Sequence, residues 1–174
     1  MQRSIVLAGG CFWCLEAAYQ LVNGVISVVP GYTGGKEKDA NYESVCSGKT
    51  GHAEVVKISY DPDIINLPSI FEIFFTIHDP TTLNRQGNDV GSQYRSAIFY
   101  NSEDQKKLAT AAIKKYNSYW DNKIVTEINK LDTFYPAEAY HKNYYLNNQN
   151  QAYCQQIINP KLQKLRQRLK ENLK

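Results

Sequence analysis

Short apolar runs and helix-like stretches alternate irregularly in the first third of the chain. Residues 4–8 form an apolar run typical of a strand, and apolar positions spaced i, i+3, i+4 and i+7 over residues 12–22 predict a helix. Residues 25–29 and 53–60 are predicted as two further strands. The second of these has Glu54 on its more apolar face, so we expect a buried carboxyl group at the start of that strand.

The rest of the chain continues this irregular order. We predict an apolar helix over 68–77, a strand over 96–100, a helix opened by a capping box at 102–105, and a strand over 125–128. The polar loop at residues 81–93 is long enough to indicate a functional segment. About five strands of mixed spacing predict an α+β fold, a two-layer sandwich with a mixed sheet, rather than a regular parallel sheet.

The C-terminal part of the chain, residues 136–174, is less regular. A helix is predicted over residues 138–145, followed by a loop that leads to Cys154. After Pro160, leucines at helical spacing predict an amphipathic helix docked on the rest of the molecule. Because the chain shows no repeat or linker and is long enough for one buried core, residues 1–174 are predicted to form a single domain.

Composition and charge exclude several classes of function. The net charge of +3 is too small to indicate binding to nucleic acid or to an anionic membrane surface. No apolar run approaches the roughly 18 residues of a membrane span, and the apolar stretch near the N-terminus is too short for an export signal. We therefore expect a cytoplasmic protein, in which the 4 cysteines are catalytic, metal-bound or inert rather than paired in structural disulfides.

Candidate chemistry centres on the motif Gly-Gly-Cys-Phe-Trp-Cys at residues 9–14. Its position between a strand and a helix puts Cys11 at the helix N-terminus, where unpaired N–H groups and the helix dipole stabilise a thiolate. The two glycines let the chain turn tightly, and we expect them to leave the sulfur uncovered. With Cys14, the motif fits three chemistries: dithiol–disulfide exchange, zinc binding and nucleophilic attack by Cys11.

The three chemistries differ in what else they require. Zinc needs four ligands, and no second closely spaced pair exists in the sequence, because Cys46 and Cys154 are isolated. Disulfide exchange fits a CxxC motif that opens a helix, but it makes no use of a buried carboxyl group. Nucleophilic attack on a centre that bears an oxygen does use one, since Glu54, with its pKa raised by burial, can protonate the departing oxygen.

Other residues extend the hypothesis of a nucleophile. Tyr42 and Tyr94 can donate hydrogen bonds to the same oxygen, although nothing in the local sequence selects them from the 13 tyrosines. The two aromatic residues after Cys11 can form an apolar pocket for a methyl or thioether group. Cys154 can then resolve an oxidised Cys11 as a disulfide. Each of these residues also has an ordinary structural role open to it, and a thioredoxin-like disulfide exchanger is the second hypothesis.

Taken together, the motifs resemble those of one known family, peptide methionine sulfoxide reductase A. The stretches that carry the resemblance are GGCFW at 9–13, NYESVCSG at 41–48, TGHAEVV at 50–56, DPTTLNRQGND at 79–89, GSQYRS at 91–96 and YH at 140–141. They stand in the order of the family, and the resemblance covers roughly residues 4–154. It implies a two-layer α+β fold related to the ferredoxin-like split βαβ.

The resemblance also implies a reaction, the reduction of the S epimer of methionine sulfoxide, free or within proteins. By similarity, Cys11 attacks the sulfoxide sulfur and Glu54 protonates the departing oxygen. Tyr42 and Tyr94 assist by hydrogen bonding. Asp89 is similar to the residue that orders the site and its water.

By the same resemblance, Phe12 and Trp13 receive the methyl group, and Cys11 becomes a sulfenic acid that condenses with a second cysteine. Cys154 occupies the expected position of that cysteine. This chain also departs from many members of the family, which have glycine where it has Cys14, so Cys14 is the alternative. Thioredoxin is the implied reductant. No metal or organic cofactor is implied, and we expect a monomer.

Overall fold

The computed structural model describes residues 2–174. The strands are β1 (Arg3–Ala8), β2 (Val25–Thr33), β3 (Ala53–Tyr60), β4 (Arg85–Gln86), β5 (Asp89–Val90), β6 (Ala97–Tyr100), β7 (Glu127–Lys130) and β8 (Tyr135–Pro136). The α-helices are α1 (Phe12–Gln20), α2 (Tyr42–Cys46), α3 (Leu67–Ile77), α4 (Glu103–Asn117), α5 (Tyr144–Asn147) and α6 (Asn159–Arg168). In this part of the chain, no helix is both long and apolar enough to cross a membrane.

Six of the strands form one sheet in the order β7-β6-β1-β3-β2-β8. β6 and β7 pair in parallel, whereas the other neighbouring strands are antiparallel. Because β1 and β2 are both antiparallel to β3, which lies between them, they are parallel to each other and are joined through α1. This split βαβ arrangement confirms the predicted α+β fold with a mixed sheet.

The central strand, β3, is buried on both faces. Its register pairs Ile58 with Ile5 of β1. Val56 and Ile58 join the main core under the helices. Ala53 and Val55 belong to a second apolar cluster on the opposite face of the sheet. The predicted bounds of this strand are confirmed, and the side chain of Glu54, its second residue, is buried as predicted.

The apolar helix α3 supplies the centre of the main core. Asn66 caps its N-terminus by accepting a hydrogen bond of 2.9 Å from the backbone N–H of Ser69. Pro68 stands in the first turn, where the missing N–H has no intrahelical partner to lose. Phe71 and Phe74 are fully buried. The predicted helix over residues 68–77 is therefore confirmed, with one more residue at its start.

Several connecting segments differ from the sequence prediction. Residues 81–93, predicted as a loop, contain the hairpin of β4 and β5 and the start of a 3-10 turn at Ser92–Tyr94. β2 continues past its predicted end to Thr33, because it pairs with β3 along nearly its whole length. β7 begins two residues later than predicted. Residues 138–145, predicted as one helix, form a 3-10 turn at Ala139–His141 and then enter α5.

The segment around Cys154 also differs from the prediction. Cys154 is the first residue of a π-helical turn, Cys154–Ile158, that runs directly into α6. The side chain of Cys154 is fully buried in the main core rather than carried on a polar loop. Such turns are rare, and they occur frequently at functional sites.

Candidate active site

A tight turn between β1 and α1 positions Cys11. Gly10 takes a φ of +91°. A Cβ atom at this glycine would lie 2.6 Å from Cγ of Gln86. The Gln86 side chain cannot easily move away, because it accepts a hydrogen bond from Asp79 N–H and donates one to Asp79 C=O. Cys11 follows as the extended N-cap residue of α1, which confirms its predicted place at the helix N-terminus.

The expectation of an uncovered Cys11 sulfur with a lowered pKa is wrong. Cys11 is only 7% exposed. Burial raises the pKa of its thiol well above the ordinary value, and the hydrogen bond to Cys14 and the negative charge of Glu54 raise it further. The backbone N–H of Trp13 acts in the other direction but is outweighed. Cys11 therefore rests as a neutral thiol.

Glu54, the second residue of β3, lies beside this thiol in the interior. Its side chain is 1% exposed, and Oε1 accepts a hydrogen bond of 3.2 Å from the backbone N–H of Phe12. Burial raises the pKa of Glu54 to about 8, although the Phe12 N–H favours the charged form. The carboxyl group is therefore protonated at neutral pH, as the sequence predicts.

Two tyrosines lie within electrostatic reach of the carboxyl group. Burial raises the pKa of both Tyr42 and Tyr94 above the ordinary value of 10.0, and the charge of Glu54 adds to the effect on each. Both phenols stay protonated and can donate hydrogen bonds. The backbone N–H of Tyr42 donates to Glu138 Oε2 at 2.9 Å, which ties the start of α2 to the segment after β8.

Asp89 completes this group from the β4–β5 hairpin. It accepts a hydrogen bond of 2.8 Å from the hydroxyl of Tyr153. Its negative charge contributes to the raised pKa of Glu54, so the two carboxyl groups lie within electrostatic reach. The structure thus brings together five residues that the sequence predicts for one site: Cys11, Glu54, Tyr42, Tyr94 and Asp89.

The two aromatic residues after Cys11 have different environments. Phe12 is fully buried, with its ring centroid 5.7 Å from that of Tyr32. Trp13 is partly exposed and stacks flat on Tyr144, with ring centroids 3.7 Å apart. The Trp13 indole N–H donates to Nδ1 of His141 at 3.0 Å. Trp13 is therefore the member of the pair that faces the surface, and Phe12 supports it from the core.

The remaining thiols lie at different depths. Cys14 is buried one turn along α1 from Cys11, and Cys154 is buried at the start of the π-helical turn. Cys46 is exposed at the end of α2, and its charge contributes to the raised pKa of Tyr42. Within residues 2–174, no three or more His, Cys, Asp or Glu side chains form a cluster that could hold a metal ion.

An open groove of about 520 Å³ adjoins the hairpin that carries Asp89. Its walls come from that hairpin and from the helical segment after Cys154: Gln86, Gly87, Asn88, Asp89, Tyr153, Gln156, Ile157, Pro160 and Lys161. Of the predicted site residues described above, only Asp89 lines this groove.

Comparison with known proteins identifies the family. The family model for peptide methionine sulfoxide reductase matches residues 3–173. The chain belongs to the peptide methionine sulfoxide reductase family. It is 53% identical over 164 residues to peptide methionine sulfoxide reductase MsrA of Arthrobacter sp., covering 94% of each chain. It is 56% identical over 158 residues to the MsrA of Leptospira borgpetersenii, covering 91% of this chain and 90% of the relative.

Solved structures of this family agree with the fold. Mxr1 of Saccharomyces cerevisiae in reduced form superposes with a TM-score of 0.83 at 40% identity, covering 88% of this chain and 89% of Mxr1. Methionine sulfoxide reductase A of Corynebacterium diphtheriae gives a TM-score of 0.80 at 31% identity, covering 85% and 76%. Mxr1 in complex with Trx2 matches with a TM-score of 0.58 at 32% identity, covering 82% and 84%.

Sequence reasoning missed several residues around the reductase site. Glu138 accepts hydrogen bonds from the Tyr32 hydroxyl and from the Tyr42 backbone, and Tyr153 links Asp89 to Cys14. Glu138 could have been identified from the sequence, because it is an isolated acidic residue just before the Tyr-His motif. Tyr153 could not, because nothing in its local sequence distinguishes it among the 13 tyrosines.

Proposed function

We propose that this chain reduces methionine (S)-sulfoxide, free or within proteins, by transfer of the sulfoxide oxygen to Cys11. The observation that carries the proposal is the protonated Glu54 carboxyl group, held by the Phe12 N–H beside the Cys11 thiol in a peptide methionine sulfoxide reductase fold. A thiol nucleophile beside a protonated acid is the arrangement that a sulfoxide requires, because the thiol can attack its sulfur while the acid protonates its oxygen.

The first step joins the Cys11 sulfur to the sulfoxide sulfur while Glu54 gives its proton to the sulfoxide oxygen. The thiol proton of Cys11 returns to the Glu54 carboxylate. The new S–S bond and the substrate's S–O bond then break as the hydroxyl passes to the Cys11 sulfur, which releases methionine. One thiol and one sulfoxide thus become one sulfenic acid and one thioether. Neither Cys11 nor Glu54 carries a charge before the sulfoxide binds, so the buried site avoids two adjacent negative charges.

Neighbouring residues support this step by orientation. Tyr42 and Tyr94 keep their protons and donate hydrogen bonds to the oxygen as charge develops there. Asp89 orders the site from the hairpin. Trp13, backed by Phe12, offers the apolar surface for the methyl group of the substrate.

Regeneration requires a second thiol and an external dithiol. The sulfenic acid condenses with a second cysteine and loses water, which gives a disulfide. Cys154 is proposed to take part in regeneration and to pass the disulfide on for reduction. Thioredoxin is the proposed reductant, supported by the likeness to Mxr1, which is known in complex with Trx2.

Turnover of the two sulfoxide epimers tests the proposed function. With dithiothreitol as reductant, we expect dabsyl-methionine (S)-sulfoxide to be converted to dabsyl-methionine and the R epimer to persist. Cys11→Ser is expected to abolish conversion, because the proposal assigns the attacking sulfur to Cys11 alone. Equal conversion of both epimers, or undiminished conversion by Cys11→Ser, would contradict the proposal.

A further inference from the structure

Cys14 is a buried thiol that the oxygen-transfer step does not use. It is 2% exposed and stands one turn after Cys11, and its backbone N–H donates to the Cys11 carbonyl at 3.1 Å. The two thiols lie close enough to shift each other's pKa, that of Cys11 upward and that of Cys14 downward. Cys11 is the N-cap residue, with an extended backbone at φ −61° and ψ 129°. The CxxC spacing at a helix N-terminus therefore leaves the two sulfurs on one side of the turn.

Tyr153 holds the Cys14 sulfur from the other side. Its hydroxyl oxygen lies 3.8 Å from Cys14 Sγ, and its proton is donated to Asp89 Oδ2 at 2.8 Å. The Tyr153 ring also meets Trp13 edge-on, at 5.8 Å between centroids. Cys14 is thus fixed between the nucleophile and a hydroxyl that is itself anchored on the site, an arrangement that simple core packing does not require.

The surroundings of Cys14 favour its thiolate form. The interaction with Cys11 is the largest contribution, and the positive charge of Lys161 adds to it. They outweigh burial and the charge of Asp89, so the pKa of Cys14 falls to about 7. Burial and the charge of Cys14 instead raise the pKa of Cys154 above its ordinary value of 9.0. Of the two candidate resolving thiols, Cys14 is the better ionised near neutral pH.

We infer that Cys14, positioned by Tyr153, is the thiol that first condenses with the Cys11 sulfenic acid, and that Cys154 accepts the disulfide from it. This inference rests on the proposed function and specifies its regeneration step. The Cys14 sulfur attacks the Cys11 sulfur, the S–O bond breaks, and the hydroxyl leaves as water after taking up a proton. The product is a Cys11–Cys14 disulfide.

The second exchange uses the thiol that follows Tyr153 in the chain. Cys154 attacks the Cys14 sulfur, a Cys14–Cys154 disulfide forms, and Cys11 departs as a thiolate that is protonated again. No oxidant beyond the sulfoxide is needed, since each exchange conserves one disulfide. The nucleophile is thereby free for a new substrate before the external dithiol acts. The sequence expectation placed Cys154 first, whereas the contacts of Cys14 place Cys154 second.

Rapid-quench peptide mapping of the wild-type protein tests this order. Fully reduced protein is mixed with one equivalent of methionine (S)-sulfoxide, quenched by acid at increasing times, and digested. The expected first crosslink is Cys11–Cys14, followed by Cys14–Cys154. A first crosslink between Cys11 and Cys154 would overturn the inference while leaving the proposed function intact. No release of methionine at all would instead refute the proposed function, and the inference with it.

Cysteine variants give an independent measurement. In Cys14→Ser, we expect methionine to be released before a disulfide forms. Any Cys11–Cys154 disulfide should form roughly tenfold more slowly than the first disulfide of the wild type, because Cys154 has a far smaller thiolate fraction at pH 7. In Cys154→Ser, the Cys11–Cys14 disulfide should accumulate. The exposed Cys46 gives the matched control, since Cys46→Ser should still form the first crosslink. Disulfide formation in Cys14→Ser as fast as in the wild type would contradict the order.

The positioning role of Tyr153 has its own readout. Tyr153→Phe removes the hydroxyl that contacts the Cys14 sulfur, so formation of the Cys11–Cys14 crosslink should become slower relative to methionine release in the same single turnover. Tyr119→Phe is the control, because Tyr119 is 77% exposed. An unchanged ratio of the two rates in Tyr153→Phe would show that Tyr153 does not position Cys14.

Discussion

At the residue scale, the proposed chemistry depends on the Cys11 thiol and the Glu54 carboxyl group, which are both uncharged before the substrate binds. Their locations are predictable from local sequence, since Cys11 follows a strand and two glycines, and Glu54 stands on an apolar strand face. The raised pKa of Cys11 is not predictable in this way. It arises from packing and from Glu54 and Cys14, and Glu54 comes from a strand 43 residues away in the chain. The helix N-terminus favours a thiolate, but burial outweighs it.

Glu54→Gln is the direct test at this scale. The amide keeps the shape of the side chain but cannot give up a proton, so the rate of methionine release in a single turnover should fall roughly 10²–10⁴-fold at pH 7. Wild-type activity should decline as pH rises through about 8, because Glu54 then ionises. That decline should be absent in Glu54→Gln. Retention of the wild-type rate within about threefold would exclude Glu54 as the acid. The exposed Glu37→Gln serves as control.

At the element scale, the site depends on how short segments are held. The turn at Gly10 can be predicted from the pair of glycines before Cys11, and the central strand β3 from the alternation of more apolar and more polar residues along it. The β4–β5 hairpin and the π-helical turn are not, because they are fixed by contacts between distant positions. Tyr153 and Asp89, for example, are 64 residues apart. Short polar segments with no periodicity give no local signal of such pairings.

Substitution of Gly10 tests the fit of the turn. Gly10→Ala combines a left-handed φ of +91° with a Cβ that would clash with Gln86, so it should destabilise the protein and impair oxygen transfer. Gly87→Ala is the matched control, because Gly87 also has a positive φ of +57° but open space around its Cβ position. The loss of unfolding free energy should be at least about 1 kcal/mol larger for Gly10→Ala than for Gly87→Ala, as measured by urea denaturation. Equal losses would contradict the close contact.

At the scale of the whole molecule, the split βαβ sheet gathers the site. Cys11 follows the end of β1, and Glu54 lies on the neighbouring strand β3. The main core packs against this region and keeps both side chains buried. The fold class follows from the order of strands and helices in the sequence. The closure of the site by Glu138, His141 and Tyr153 does not follow, because the C-terminal segment reaches it only through tertiary contacts.

The buried carboxyl group makes the stability of the molecule depend on pH. Glu54 has a pKa of about 8 in the folded state and an ordinary value of 4.5, so the folded state binds more protons between these pH values. The free energy of unfolding should therefore fall as pH rises through this range, by up to about 1.4 kcal/mol per pH unit. Glu54→Gln should lack this contribution and gain stability relative to the wild type as pH rises. A constant difference from pH 4.5 to 8 would contradict the burial of a neutral acid.

Trapping of the oxidised nucleophile tests the central claim most directly. In Cys14→Ser/Cys154→Ser, no buried partner is left to condense with Cys11, so the sulfenic acid should persist. After one equivalent of methionine (S)-sulfoxide without reductant, we expect one equivalent of methionine and a dimedone adduct on Cys11, detected by peptide mass spectrometry. Release of methionine with Cys11 unmodified, or equal release by a variant that also carries Cys11→Ser, would contradict oxygen transfer to Cys11.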